Sequence, residues 1–458
     1  MIDTPTKNTS YNLQKITVTS AASATQNACK LCSPLGAALV FKGIANTVPL
    51  LHGSQGCSTY IRRYVISHFK EPVDIACSNF GEQTAIFGGG ANLKVALDNI
   101  RKQYDPDFIG IATTCLAETI GDDVPMFLKE YHDIHKEEIL PPIVSVATPS
   151  YQGTHIEGFH AAVRAVVEGL AKERVQRWYA PFINLFPGMI SPADLRHLKE
   201  IVEDFGLNTM MLPDYSETLD GGLWRDYQRI PQGGTSVEQI KVAGSALASI
   251  EFGRCLALSK NTAGTVLSDR FDTFCQRTGL PMGIVQTDRF MQTLSDLSNR
   301  PVPDKYTTQR GRLLDAMVDA HKVVNGVRAA IFGEPDLVVG LVDFLVEIGI
   351  QPVVCGTGMA KSNLSQALST VLTQEQLDKA SVMEDVDFMD MESVIKEVMP
   401  DILIGNSKGY AMSRRLNIPL LRVGFPIHDR IGGNRLQLLG YEGTQIFFDR
   451  IANTLMAV

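Results

Sequence analysis

"AAIFGEPDLVVGLVDFLVEIGIQPVVCGTG" spans residues 329–358. A short apolar run leads into a Gly-Glu-Pro-Asp turn, and the turn opens a segment whose apolar residues recur at helical spacing. Gly349 follows at once, the place where a glycine closes a helix in the left-handed conformation. A second apolar run then ends in Gly356-Thr357-Gly358. Strand, polar turn, helix and strand in close succession predict a parallel β-α-β unit, because parallel strands need a crossover of this length.

The rhythm recurs on both sides. "FIGIATT" (108–114), "PPIVSVATPS" (141–150), "FINLFPG" (182–188), "MGIVQTD" (282–288), "PDILIGNS" (400–407) and "PLLRVGFP" (419–426) are short apolar runs ending in small or polar residues, and read as strands. Helical patterns lie between them, such as "ADLRHLKEIVEDFG" (193–206), closed by Gly206. The expected fold class is α/β, with mainly parallel, Rossmann-like sheets. A chain of 458 residues exceeds one ordinary core. Three α/β domains are expected: 28–175, which carries the clustered cysteines; 176–305, from "VQRWYA" to near "NRPVPDKY"; and 306–458, which includes the C-terminal segment. Residues 1–27 are polar, rich in Ser and Thr, and read as a flexible arm.

Composition removes several function classes. The hydrophobic share of 45% and charged share of 20% suit an ordinary globular protein. A net charge of −8 argues against a nucleic-acid partner held by a broad basic field. No apolar stretch is long enough for a membrane span. The N-terminus lacks the apolar core of a secretory signal, so a cytoplasmic location is expected.

Nucleotide binding is the first chemistry such a fold suggests. "GGGAN" (88–92), "GTGMAKS" (356–362) and "GNSKGY" (405–410) follow apolar stretches. None matches the P-loop pattern or a GxGxxG that opens a helix. Tight strand-to-helix turns need glycine with or without a phosphate to cradle.

The cysteines are more informative. Eight in this length do not make a disulfide scaffold. Cys77, Cys255, Cys275 and Cys355 sit in apolar or helix-like surroundings and are expected to pack in the core. Cys32 in "LCSPLGA", Cys57 in "LLHGSQGCSTYIRRY" (50–64) and Cys115 in "ATTCLAE" are instead flanked by small or hydroxylic residues. Cys57 has three readings: a packed thiol, a nucleophile, or a metal ligand. Nothing local fixes a His52–Cys57 pair of the kind a nucleophile needs. Cys29 and Cys32 form a CxxC, but a structural zinc site usually needs a second pair. Iron–sulfur ligation fits better. Small neighbours let inorganic sulfide approach the backbone, and N–H donors to sulfur tune the potential. Three thiolates do not complete a lone cubane, which suggests further ligands from a second chain.

At these residues the chain resembles the β-type subunits of the nitrogenase component 1 superfamily. The resemblance rests on "CSPLGAALVFKGI", "PLLHGSQGCSTYIRR", "SHFKEPVD", "AIFGGGANL", "TTCLAETIGDD" and "TPSYQGTH". It continues through "PVPDKYTTQRGRLLDAMVDAH", "ILIGNSKG" and "PLLRVGFPIHDRIGGNRLQLLGYEGT". The superfamily includes the catalytic molybdenum–iron protein, its cofactor-assembly scaffold, and nitrogenase-like reductases.

The resemblance implies three α/β domains. It also implies pairing with a homologous α-type subunit, two such pairs making an α2β2 heterotetramer. It implies a P-cluster at the pair interface, an iron–sulfur cluster of the 8Fe–7S type, with Cys32, Cys57 and Cys115 as this chain's ligands. Ser150 occupies the place of a serine that ligates the cluster on oxidation. Phe87 matches an aromatic on the docking surface of the iron protein, the ATP-dependent partner reductase. His52 and Gly56 are expected to organise the turn around Cys57, with Gly56 letting the chain approach sulfide. The active-site metallocofactor belongs to the α-type chain, so no catalytic residue is expected here.

Two functions then stand side by side. In one, this is a subunit of a nitrogenase-like reductase acting on dinitrogen or another small molecule, such as a methylthio-alkane cleaved at its C–S bond. In the other it is a non-catalytic scaffold for cofactor assembly, with a 4Fe–4S cluster. The full set of three cysteines matches the first; "IHDRIGGNRLQLLGYEGTQ" is similar to scaffold-type chains. Cys29 is a further thiol, either a bystander or an alternative ligand.

Overall fold

The computed structural model describes residues 27–172 and 181–457. The N-terminal arm, apart from Asn27, and the boundary expected at 175/176 lie outside the described residues.

Three parallel sheets organise the chain. The first contains β1 (Leu50–His52), β2 (Ala76–Cys77), β3 (Ile109–Thr113) and β4 (Ile143–Val146), in the order β2-β1-β3-β4. The second contains β5 (Phe182–Phe186), β6 (Asn208–Met211), β7 (Ser249–Phe252) and β8 (Cys275–Thr278), in the order β6-β5-β7-β8. The third contains β9 (Arg328–Phe332), β10 (Gln351–Gly356), β11 (Ser381–Met383), β12 (Ile402–Gly405) and β13 (Leu420–Arg422), in the order β11-β10-β9-β12-β13. Every named pairing is parallel. The central strands β3 and β5 are buried throughout, which is why they read as unbroken apolar runs. Helices Pro192–Asp204 and Pro335–Glu347 end where expected, with Gly206 at φ +73° and Gly349 at φ +84°.

One expected strand is a helix. Residues 282–288 begin helix Gly283–Ser298, which buries Ile284, Thr287, Phe290, Met291 and Leu294 along one face. The apolar run at its start is too short for periodicity to separate strand from helix.

The first third positions the site. Its helices are α1 (Ser33–Lys42), α2 (Gln55–Phe69), α3 (Glu82–Phe87), α4 (Gly90–Tyr104), α5 (Cys115–Ile120), α6 (Val124–Ile134) and α7 (His155–Leu170). All ten residues of α1 are buried. It crosses α7 at two glycines: a Cβ on Gly36 would lie 1.7 Å from His155 O, and one on Gly158 would lie 2.0 Å from Ser33 O. Helix α7 starts with a capping box between Thr154 and Glu157. This contact sets the start of α1 beside the start of α7, where Cys32 bridges Thr154. Among the described residues, no helix is long and apolar enough to cross a membrane.

Candidate metal centre

Strands β1 and β3 are neighbours, with His52 opposite Thr113, so their carboxyl ends finish level. Each leads at once into a cysteine-bearing helix. Cys57 is the third residue of α2, and Cys115 is the first residue of α5. Cys32 is the N-cap of α1. Each candidate cysteine therefore stands at a helix N-terminus, among the N–H groups that the helix itself leaves unpaired. All three are partly exposed, in contrast to Cys29, Cys255 and Cys355, which are buried.

The thiols share one neighbourhood. The Cys32 thiol pKa is raised, first by burial and also by the charges of Cys115 and Cys57; a Ser150 hydrogen bond and the Lys408 charge oppose the rise. Ser150 links two of the three. Its N–H donates to Cys115 Sγ at 3.2 Å, and its Oγ accepts the Ser33 N–H at 3.1 Å. Ser54 Oγ donates to Cys57 Sγ at 3.6 Å. Among the described residues, no three His, Cys, Asp or Glu side chains are grouped to hold a single metal ion. Partly exposed thiols with N–H and O–H donors to sulfur have the chemistry of iron–sulfur ligands.

Cys57 thus lies in the first turn of a helix, and the glycines before it differ in role. A Cβ on Gly53 would meet Thr114 Oγ1 at 2.0 Å, so close packing of the two cysteine-bearing loops demands glycine there. A Cβ on Gly56 would have Ser54 Oγ, at 3.9 Å, as its near neighbour. Packing within the chain does not account for glycine at 56.

His52 is fully buried. Its Nδ1 pairs with Ser78 Oγ at 3.0 Å and its Nε2 with Asp122 Oδ2 at 2.9 Å. Burial lowers its pKa, and Asp122 partly counters this. Asp122 also accepts the Gly89 N–H at 3.0 Å. The network ties the end of β1 to the turn after α3, where Ile86 and Phe87 are 74% and 85% exposed.

Cys29 does not join the other three cysteines. It is buried in an apolar cluster with Ala330, Phe332 and Val354 of the third sheet, and burial pushes its thiol up to about 12. Of the four cysteines expected in the core, Cys255 and Cys355 are buried, whereas Cys77 and Cys275 are half-buried. The latter pair lie on edge strands β2 and β8, which leave one side open.

Three residues escaped the sequence reading. Tyr60, one turn after Cys57, hydrogen-bonds Cys32, and burial followed by the Cys32 charge raises its pKa. Asp122 was visible within "TTCLAETIGDD" but carried no signal of its bond to His52. Lys408 lies in the glycine loop "GNSKGY" that had suggested nucleotide; its Nζ donates to Ala28 O at 2.7 Å and Lys30 O at 3.1 Å.

Comparison with known proteins identifies the frame around this geometry. Residues 32–456 match the family model for nitrogenase component 1 type oxidoreductase. The chain is 34% identical to a nitrogenase molybdenum-iron protein beta chain of Clostridium pasteurianum, over 94% of this chain and 93% of that one. It is 35% identical to the nitrogenase iron-molybdenum cofactor biosynthesis protein NifN of Bradyrhizobium diazoefficiens, over 94% and 89%. A solved structure of "Nitrogenase Cp1 at pH 6.5" superposes with a TM-score of 0.91 at 33% identity, covering 96% of this chain and 95% of that one. The chain belongs to the nitrogenase component 1 family of oxidoreductases.

Proposed function

We propose that this chain is the β-type subunit of a nitrogenase-like reductase, and that Cys32, Cys57 and Cys115 supply its side of an iron–sulfur cluster shared with an α-type subunit. The carrying observation is the convergence of three partly exposed cysteines, each at a helix N-terminus, on a face where Ser150 bonds Cys115 and Ser33. Membership of the family implies iron–sulfur clusters, and β-chain relatives imply an α-subunit partner and an iron protein.

A cluster of the P-cluster type held by Cys32, Cys57 and Cys115 would supply one-electron transfer between the iron protein and a metallocofactor in the α-type chain. The residues of this chain hold and orient it. Helix N-termini and N–H donors stabilise thiolates. Ser150 acts on oxidation in this reading, its hydroxyl bonded to the Ser33 N–H and its own N–H to Cys115. Gly56 leaves room beside Cys57 for inorganic sulfide. Phe87 and Ile86 offer the iron protein an apolar foothold, and the His52–Asp122–Gly89 bonds hold that foothold to the strand preceding Cys57. The substrate is dinitrogen or another small molecule, the C–S bond of a methylthio-alkane included.

A second reading has its own observation. The similarity to NifN is as extensive as that to the beta chains, and supports a cofactor-assembly scaffold equally. Co-purification with the α-type partner, iron quantification and EPR separate the two. The reductase reading expects eight irons per interface and product formation with the iron protein and ATP. Four irons per interface, with no product from dinitrogen or any methylthio-alkane tried, would establish the scaffold instead. A colourless, iron-free complex would overturn both.

A further inference from the structure

The segment from Asn27 to Lys30, just before Cys32, is clasped by loops at the carboxyl ends of the third sheet. After β10, Gly358 packs so tightly that a Cβ would lie 2.4 Å from Cys29 O. After β11, Lys30 pairs with Asp385 at 2.7 Å, Ala28 bridges Asp387, and the Phe388 N–H donates to Asn27 O at 3.3 Å. After β12, Lys408 Nζ donates to the carbonyls of Ala28 and Lys30, and the Asn27 side chain returns a bond to Lys408 O at 3.2 Å.

Lys408 stands apart within this clasp. Its side chain is half-buried, with two carbonyls as hydrogen-bond acceptors and the Tyr64 ring at 6.0 Å. Its charge acts on Cys29 and Cys32, and Lys30, Tyr60, His428 and Asp429 line the same cavity. Removing an ammonium from water costs several kcal/mol unless an opposite charge compensates. Cys29 is a neutral thiol. A cluster held by Cys32 would supply such a charge on the side where the Lys408 charge already acts on Cys32.

We propose that Lys408 is a positioning residue for the shared cluster: it fixes the backbone leading to Cys32, and its charge raises the cluster's reduction potential. The proposal rests on the cluster reading above. A nearby cation stabilises the more negative, reduced state, so its removal favours the oxidised one.

The test uses the α–β complex with Lys408→Met and Lys408→Arg, followed by EPR-monitored redox titration and iron quantification. With iron retained, Lys408→Met should change the oxidised-to-reduced ratio at fixed potential about tenfold, ~59 mV to the negative for one electron, while Lys408→Arg stays near the parent. If Lys408→Met loses iron, restoration by Lys408→Arg supports the proposal equally. An unchanged potential with full iron in Lys408→Met overturns it, as does iron loss that Lys408→Arg does not repair. Absence of iron from the parent complex is a different result, and overturns the cluster reading itself.

Discussion

The backbone N–H of Ser150 donates to the Cys115 thiol at 3.2 Å. This bond survives any side-chain change at 150, whereas the bond from the Ser33 N–H to Ser150 Oγ does not. Ser150→Ala should therefore leave the iron content of the dithionite-reduced complex intact and alter the EPR signal of its oxidised state. The lost hydrogen bond should cost the fold about 1 kcal/mol. Iron analysis, EPR and a melting curve check all three; iron loss in the reduced variant would refute the expectation.

Gly53 and Gly56 should respond differently to alanine. Gly53→Ala drives a methyl into Thr114 and should destabilise the chain by about 1–3 kcal/mol. Gly56→Ala lies in α2 with open space around it, and should leave the isolated chain as stable or up to about 1 kcal/mol more so. It should still lower iron occupancy of the complex, because the added methyl occupies space beside Cys57. Chemical denaturation of the apo chain, paired with iron quantification of the complex, separates the effects. Full occupancy in Gly56→Ala would show that the sulfide needs no such space.

Phe87 is almost wholly exposed, so truncating it removes little packing. Phe87→Ala should keep iron content and melting temperature and weaken coupling to the iron protein. Electron transfer titrated against iron-protein concentration should show a raised half-saturation point. An unchanged curve would exclude Phe87 from docking.

His160 provides a pH test away from the cysteines. It faces an enclosed cavity of about 70 Å3 where the three sheets meet, lined also by Leu39, His68, Tyr215, Phe252 and Phe425. Burial lowers its pKa to about 4. The unfolded chain, with an ordinary imidazole near 6.5, takes up a proton as pH falls while the folded chain does not. The stabilisation is thus fully present above pH ~6.5 and is lost on acidification through that value towards 4. Asp194 and Asp336 line the same cavity with pKa values raised to about 6, and they work in the opposite direction. The clean measurement is a difference: relative to His160→Phe, the parent chain should lose about 2 kcal/mol between pH 7 and pH 5. Parallel denaturation curves at the two pH values would contradict this.

Much of the frame was legible because buried parallel strands are written as apolar runs. β3, β4, β5, β10, β12 and β13 all lie within stretches picked out that way, as does β9 apart from Arg328, and Gly206 and Gly349 marked their helix ends. β7 and β8 were not, since "SIEF" and "CQRT" carry a buried Glu251 and an Arg277 that pair with each other at 3.2 Å. A charge neutralised by a neighbouring strand looks like a surface residue in a linear reading. At the site, small flanking residues singled out Cys32, Cys57 and Cys115, and the family spacing added Ser150. Cys29 was ambiguous because its burial comes from a sheet about three hundred residues further along. Lys408 and Asp122 were hidden for the same reason: their partners are distant in sequence, and a single lysine or aspartate carries no periodicity.

The clasp on residues 27–30 bears on the order of events during synthesis. Cys57 and Cys115 are set by adjacent strands of the first sheet, and that sheet is complete once residue 146 has been made. The anchors that the third sheet adds on residues 27–30 arrive with residues 358, 385–388 and 408. A nascent chain stalled before them already holds Cys32 through Thr154, His155 and Ser150, and lacks only the clasp on residues 27–30. The third sheet therefore closes over a stretch whose cysteine-bearing turns the first third has already arranged.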